Sequence, residues 1–394
     1  MTDPRIPDYV SRLAASTGAI WGESGRRATG FPEAASRALR EVEPPDFDTA
    51  DLLTFFATEA AERLPTQSGL GDQFGQPPVV LYQGADFFIQ GLTWMEGTTA
   101  IHQHGFSGAF RVVDGQSLHV GYRFDAAEHL ADELAVGDLR MRNPEILNVG
   151  DVRAIEPGPA FIHALFHLAR PSLTIVVRNY SSEVGTPQFN YRRPGLAFTP
   201  RDGDVLRQRR LQAIGALSAL DPDTGVGAAR SLVASEDAWG AFQVADHCFG
   251  LWGWNERFFP VLEAVGRQHA VLAEPLSATF QELWRSDTVL RRRTLLHERH
   301  QRTFLALLAN LPSRTAIESV LGQLAPGRDS DEVLMEWIEE LASPELRGVS
   351  GLSLSEDDRV ALRAQLRGDS LTESLSSVSA KFGRTSILDY LVRT

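Results

Sequence analysis

The spacing of apolar residues changes twice along this chain. From residue 1 to about 65 they recur at three- and four-residue intervals, as in Tyr9-Val-Ser-Arg-Leu13 and in Phe47-Asp-Thr-Ala-Asp-Leu-Leu-Thr-Phe-Phe-Ala-Thr-Glu-Ala-Ala-Glu-Arg-Leu64. That spacing predicts amphipathic helices, the second capped by Asp48 or Thr49. Residues 66–78, rich in Gly, Gln and Pro, read as a loop. Short runs of β-branched and aromatic residues follow from Val79 to Tyr180, broken by Gly, Pro, Asp and Asn, and predict successive strands of a barrel. Ser181-Ser-Glu-Val-Gly-Thr-Pro187 and Tyr191-Arg-Arg-Pro-Gly195 read as a connector. From about Asp204 the helical period returns, through Leu206, Leu211, Ile214 and Leu217, then Leu283, Leu290 and Leu295, then Leu305, Leu308 and Leu311, and finally Leu334, Ile338 and Leu341. Pro222, Pro260, Pro275, Pro312, Pro326 and Pro344 are expected to punctuate these helices. The fold class expected is α+β, in three parts: N-terminal helices over 1–65 packing on the barrel, an antiparallel β-barrel over 66–195, and an all-helical domain over 196–394.

Candidate chemistry sits in the barrel region. In Gly97-Thr-Thr-Ala-Ile-His102-Gln-His104-Gly-Phe-Ser-Gly108, strand alternation puts His102 and His104 on one face, where they can grip one ion, and turns Gln103 to the other. A third histidine, His163, lies downstream in Gly150-Asp-Val-Arg-Ala-Ile-Glu-Pro157-Gly158-Pro-Ala-Phe-Ile-His163, read as a strand, a Pro-Gly turn and a second strand. His167 has the same parity and can serve as the ligand, as a hydrogen-bond partner behind the ligands or as a surface residue. His163 is preferred because it lies nearer the turn.

Together the two segments resemble the paired motifs of the cupin family, small β-barrels in which His-x-His with a later Glu is completed by one more His after a Pro-Gly turn. Here Gly108 stands at the Glu position, which makes the site similar to the three-histidine, cysteine-dioxygenase-like branch. Phe87 to Gly97, leading into Ile101-His102-Gln-His104, also resembles that branch. The resemblance covers about residues 75–180. It implies a cupin-type barrel, a metal held by His102, His104 and His163, and oxygenase chemistry of the cysteine-dioxygenase-like type. Two elements of the branch are missing. Leu81-Tyr82-Gln83-Gly84 holds no arginine for a substrate carboxylate, and Ser172-Leu-Thr-Ile-Val176 replaces the Ser-His-x-Tyr set. Cysteine therefore drops out as the expected substrate.

Parity supplies further candidates. If Trp94 and Leu92 face the cavity, Gln90 does too, and a buried amide there needs a partner that substrate can provide. Tyr82, near the barrel mouth, and Tyr122 are candidates for catalysis beside Gln90. Trp94, His167 and Arg178 are candidates for contact with substrate, Arg178 because it shares parity with Thr174 and Val176. The alternatives are an outward-facing glutamine, tyrosines used in packing and a surface arginine.

Composition narrows the reading. The formal charge of -13 disfavours nucleic acid as a partner. No apolar run long enough to span a membrane and no leader-like N-terminus stand in the sequence, so no membrane partner and a cytoplasmic location are expected. The single cysteine, Cys248, leaves metal binding to His, Asp and Glu. Such ligands suit iron, manganese, nickel, copper or zinc, and their spacing does not choose among them; the resemblance to the cysteine-dioxygenase-like branch puts Fe(II) first, with other divalent metals open. The expected function is a non-heme iron oxygenase acting on a small molecule with O2, with homo-oligomerisation left open. The alternatives are an oxygen-independent isomerase, hydrolase or lyase, and a non-enzymatic ligand-binding barrel. In the helical part, His297-Glu-Arg-His300 has two residues between its histidines where a zinc-protease helix has three, and reads as a solvated helix face. Asp246-His247-Cys248 with Trp252 and Trp254 reads as packing.

Overall fold

The computed structural model describes residues 4–59, 61–67, 74–97, 100–180, 188–200 and 203–366, and the short segments 381–382 and 385–386. The expected connector Ser181–Pro187 lies outside these residues, as do residues 68–73 of the expected loop. The chain divides into two compact units, Met1–Tyr122 with Pro144–Phe189, and Arg123–Asn143 with Asn190–Thr394.

The first unit opens with α1 (Arg5–Glu23), α2 (Phe31–Glu41) and α3 (Thr49–Thr58). Asp48 caps α3 in a reciprocal box: its carboxylate accepts from the Asp51 amide at 2.9 Å, and the Asp51 carboxylate accepts from the Asp48 amide at 3.3 Å. The sequence reading did not mark α2, whose buried side is largely alanine: Ala34, Ala35 and Ala38 beside Phe31 and Leu39.

The strands follow as β1 (Pro78–Gln83), β2 (Phe87–Trp94), β3 (Ile101–His102), β4 (Gly108–Asp114), β5 (Ser117–Ala131), β6 (Leu134–Leu147), β7 (Val152–Ile155), β8 (Ile162–His167) and β9 (Ser172–Asn179). One sheet has the order β1-β2-β9-β4-β7, with antiparallel neighbours. Strand alternation sorts its two faces. Phe87, Ile89, Ala109, Val113, Leu173, Ile175 and Val177 join Tyr9, Leu13, Phe31, Leu39 and Leu52 of the helices in one core. Leu92, Trp94, Phe110, Val112 and Val176, with Phe106, Leu147, Ile155 and Leu165, form the barrel's inner core. Two polar ties fix the helices to β4: the Thr49 hydroxyl donates to Asp114 at 2.6 Å, and the Arg111 guanidinium donates to the Leu39 carbonyl at 2.9 Å. Gly91 lets α3 come close, since a Cβ there would sit 2.8 Å from Leu52 Cδ2.

The second sheet runs β3-β8-β5-β6 and on through β11 (Leu196–Phe198) to β10 (Asn190–Arg192). Here the structure corrects the reading of Tyr191–Gly195 as a connector: it is a hairpin, with Asn190 opposite Phe198 and Leu196 opposite Val136. The first short strand holds one apolar residue, Tyr191, and the second three in a row, so neither shows a period. The hairpin turn needs glycine because a Cβ on Gly195 would lie 1.9 Å from the Gly137 carbonyl oxygen.

In the second unit the helices are α4 (Val205–Leu220), α5 (Pro222–Val233), α6 (Ala238–Trp252), α7 (Phe259–Gln268), α8 (Ala270–Arg293), α9 (Arg299–Asn310), α10 (Arg314–Leu324), α11 (Ser330–Leu341), α12 (Arg347–Ser350) and α13 (Glu356–Leu366), followed by the strand pair β12 (Lys381–Phe382) and β13 (Thr385–Ser386). Pro222 opens α5, but Pro275 lies inside α8, near its start, instead of ending a helix. Leu134, Val136 and Leu196 share the helical core with Phe242, Cys248, Phe258 and Phe280, against which Trp252 and Trp254 also pack. His297 precedes α9, so it and His300 do not share a helix face; His300 pairs with Glu340 at 2.6 Å. No helix among the described residues is long and apolar enough to cross a membrane.

Removing the capping carboxylate in Asp48→Ala should lower stability by about 1 kcal/mol in urea unfolding, whereas Asp48→Asn should stay close to wild type.

Candidate metal centre

His102 ends the two-residue strand β3 and stands opposite His163 in the register of β3 with β8. Just beyond, the Gly158 amide donates to the His104 carbonyl at 2.8 Å, and His104 forms a parallel bridge with Pro157. Gly158 takes a φ of 67°, in the region that favours glycine. The Pro-Gly turn thus ties the second motif's backbone to the first. One ring nitrogen from each of His102, His104 and His163 lies within 4.8 Å of the others, and this cluster can hold a metal ion.

Burial sets the protonation of these rings. It pushes His102 down to about 4, partly opposed by the bond between its Nδ1 and the Ala100 carbonyl at 2.8 Å. Burial also lowers His104, helped by the charges of His102 and Arg178, and lowers His163, helped by those of His102, His104 and His119. All three are therefore neutral near pH 7, the form that ligates. His102 Nε2 is buried with no hydrogen-bond partner, while the Nε2 atoms of His104 and His163 face each other at 3.0 Å. A buried lone pair and two converging ring nitrogens are what a divalent cation at their centre would satisfy.

The surroundings are aromatic. Phe74 lies 5.0 Å from the His102 ring, Phe106 4.5 Å from His104, and Phe161 4.4 Å from His163, all between centroids. Gly108 occupies the place where a carboxylate ligand would be expected. A Cβ there would lie 2.2 Å from the Val177 carbonyl oxygen and 3.0 Å from Arg178 Cα, so β9 leaves no room for any side chain.

Of the other expected residues, Gln90, Trp94 and Arg178 lie on the inner face. Gln90 is buried and shares its face with Leu92 and Trp94. Arg178 stacks its guanidinium 3.5 Å from the Phe106 ring centroid, close enough to His104 for its charge to act there. His167 is not in the histidine cluster. Its Nδ1 lies 2.8 Å from the Ser172 hydroxyl and 3.1 Å from that of Ser117, and its ring stacks on Trp94 at 4.9 Å. Tyr82 does not reach the cavity. A register shift between Val80 and Tyr82 pairs Val80 with the inward Gln90 but Tyr82 with the outward Ile89, and Tyr82 packs against the helix-side core. Tyr122 is buried on the opposite face of β5 from His119, in register with Ile162.

The sequence reading passed over His119, Glu145 and Arg153. His119 Nε2 lies 3.1 Å from His163 Nδ1, and its Nδ1 lies 2.7 Å from Glu145, which Arg153 grips through Nε at 2.9 Å. Hydrogen bonds from His119 and Arg153 hold the Glu145 carboxyl down to about 2. The available signal was His119 in an apolar strand, Leu118-His-Val120, where a buried imidazole needs partners.

The sequence matches no family model and no curated protein. Among solved structures it is similar to one of DMSP lyases RdDddP and RnDddQII, at 19% identity and a TM-score of 0.19, over 28% of this chain and 50% of that one, so it spans half that protein's length. It is similar to hydroquinone 1,2-dioxygenase from Sphingomonas sp. TTNP3 with 4-hydroxybenzoate bound, at 13% identity and 0.23, over 35% of this chain and 78% of that one. An RmlC-like cupin from Shewanella frigidimarina NCIMB 400 matches at 16% identity and 0.20, over 31% and 97%. At these scores none of them bears on what this chain does. What the structure itself gives is the barrel's strand order, the Pro157-Gly158 turn and the histidines that the turn brings together.

Two outcomes follow. Gly108→Ala should lose about 1–3 kcal/mol of stability in urea unfolding, because β9 must shift to admit the methyl group. For the metal-free protein, histidines whose folded pKa is depressed contribute stability that is complete above the unfolded value of 6.5 and is lost as pH falls toward the folded value, about 4 for His102. The unfolding free energy from urea titrations should fall through that window by about 1.4 kcal/mol per pH unit for each such histidine, and His102→Gln should flatten the slope.

Proposed function

We propose that the barrel is the catalytic domain of a metal-dependent oxygenase of the cysteine-dioxygenase-like cupin type, with His102, His104 and His163 as the ligands of Fe(II) and a small molecule as substrate. The observation that carries this reading is the convergence of three neutral imidazoles on one point, with His102 Nε2 buried and unpartnered. When bound, a ferrous ion would offer open positions to a substrate donor and to O2 and supply electrons for reducing O2.

The chain's own residues have separate tasks. Phe106, Phe110 and Phe161 keep bulk water from the imidazoles and favour a substrate with an apolar or aromatic body. Three neutral ligands leave the ion's charge uncompensated, which favours an anionic donor such as a thiolate, enolate or carboxylate. Arg178, against Phe106, supplies a positive charge on the inner face that can orient an acidic substituent. Gln90 and Trp94 line the same face and would position the substrate, whereas Tyr82 and Tyr122 are left without a part. His167 acts at most through Trp94.

The test is the metal content of protein purified without a metal-affinity tag, in wild type and His102→Ala, followed by O2 uptake after anaerobic Fe(II) loading in the presence of thiol, phenol and carboxylate candidates. Iron at about one equivalent, lost in the variant, with substrate-dependent O2 uptake is the expected result. Turnover that proceeds without O2 would select Lewis-acid chemistry at the same ligands. Failure of the wild type to bind any divalent metal would leave a ligand-binding barrel.

A further inference from the structure

Behind the three converging imidazoles runs a second line of groups, Arg153, Glu145 and His119, ending on the far nitrogen of His163. Each contact in the line constrains the next. The Glu145 carboxylate can only accept, and it already receives Arg153, so the His119 Nδ1 at 2.7 Å must carry a hydrogen. With one proton on its ring, His119 then presents a lone pair at Nε2. The His163 Nδ1 facing it at 3.1 Å must in turn donate. His163 is left with its lone pair at Nε2, the atom that faces His104 Nε2 at 3.0 Å. His102 reaches the same state by a shorter route, through the Ala100 carbonyl on its Nδ1.

We propose that Glu145 and His119 are positioning residues that set the tautomer of His163 and aim its Nε2 lone pair at the point shared with His102 and His104. The pair sits one ring behind the ligand, so the charge of Glu145 reaches His163 through an intervening imidazole and not by direct contact. This has two consequences. The proton on His163 Nδ1 is held in place before any cation arrives, so binding requires no proton to move within the ring. The carboxylate also makes His163 a stronger donor than His102, whose Nδ1 has only a neutral carbonyl behind it. Arg153 holds Glu145 by two hydrogen bonds, at 2.9 Å and 2.5 Å, which keeps the carboxylate aligned with His119.

The idea rests on the reading of His163 as a metal ligand, and the test separates the two. The ring nitrogens of protein labelled with 15N-histidine are recorded metal-free at mildly alkaline pH, in wild type, Glu145→Leu, His119→Phe and His119→Gln. Zn(II) affinity of the same proteins is measured by competition with a chromophoric chelator. In wild type, His163 should be the Nδ1–H tautomer alone. Glu145→Leu, which leaves His119 Nδ1 no acceptor, and His119→Phe should show a mixture of tautomers and bind Zn(II) about 10- to 100-fold more weakly. His119→Gln, whose amide oxygen can accept from His163 Nδ1–H, should recover both properties. A single unchanged tautomer of His163 with unchanged affinity in Glu145→Leu would overturn the proposal, and that variant serves equally should His119→Phe fail to fold. If wild type binds no Zn(II) or Fe(II), the metal reading fails, and the metal-free tautomers decide this proposal alone.

Discussion

Three imidazole nitrogens aimed at one point inside an apolar barrel cannot all be satisfied by the protein. Two of them can share one hydrogen, as His104 and His163 do at 3.0 Å, but His102 Nε2 then remains without a partner. Burying a polar atom in that state is costly, and the fold spends several features on maintaining it. The Gly158 amide pins His104, β3 sets His102 against His163, and the aromatic rings close over the edges. The sheet behind is in turn held in place by helices whose apolar sides meet Ile89, Ile175 and Val177.

Much of this was legible locally. Alternation puts Gln90 with Leu92 and Trp94 because two-residue parity holds within the unbroken β2, and it puts His102 with His104 although β3 ends at His102 and His104 continues as a bridge to Pro157. The Pro-Gly turn before His163 was legible because glycine at positive φ leaves few other options. Legibility ended where one strand had to be phased against another. Tyr82 has the parity of the inward Val80, and a bulge between them reverses its direction. Tyr122 and His119 lie three apart on β5, so only one can face the cavity, and nothing in Ser117–Tyr122 says which. His119, Glu145 and Arg153 come from three strands, and their meeting depends on pairings that no single segment encodes.

The helical unit was legible as a period and less so as a set of boundaries. Pro275 stands inside α8 as its sixth residue, where it removes the amide that would donate to the Val271 carbonyl. His297 and His300, close on paper, are separated by the start of α9, whose N-cap is Glu298. The hairpin Asn190–Phe198 was hidden by its shortness, and what fixes it is a backbone approach between Gly195 and Gly137 that leaves no trace in hydrophobicity.

The contact between Gly108 and β9 also bears on how the ligand set can change over evolutionary time. A glycine codon lies a single base from one for glutamate, so a fourth, carboxylate ligand is close in genetic terms. It is far in structural terms, because the Val177 carbonyl fills the space that the first carbon of that side chain would need. A lineage carrying this backbone could add the carboxylate only after β9 had moved away from β4. Passage from the three proposed ligands to four therefore has to go through a loosened barrel, and sheet packing holds the number of ligands that this backbone can offer.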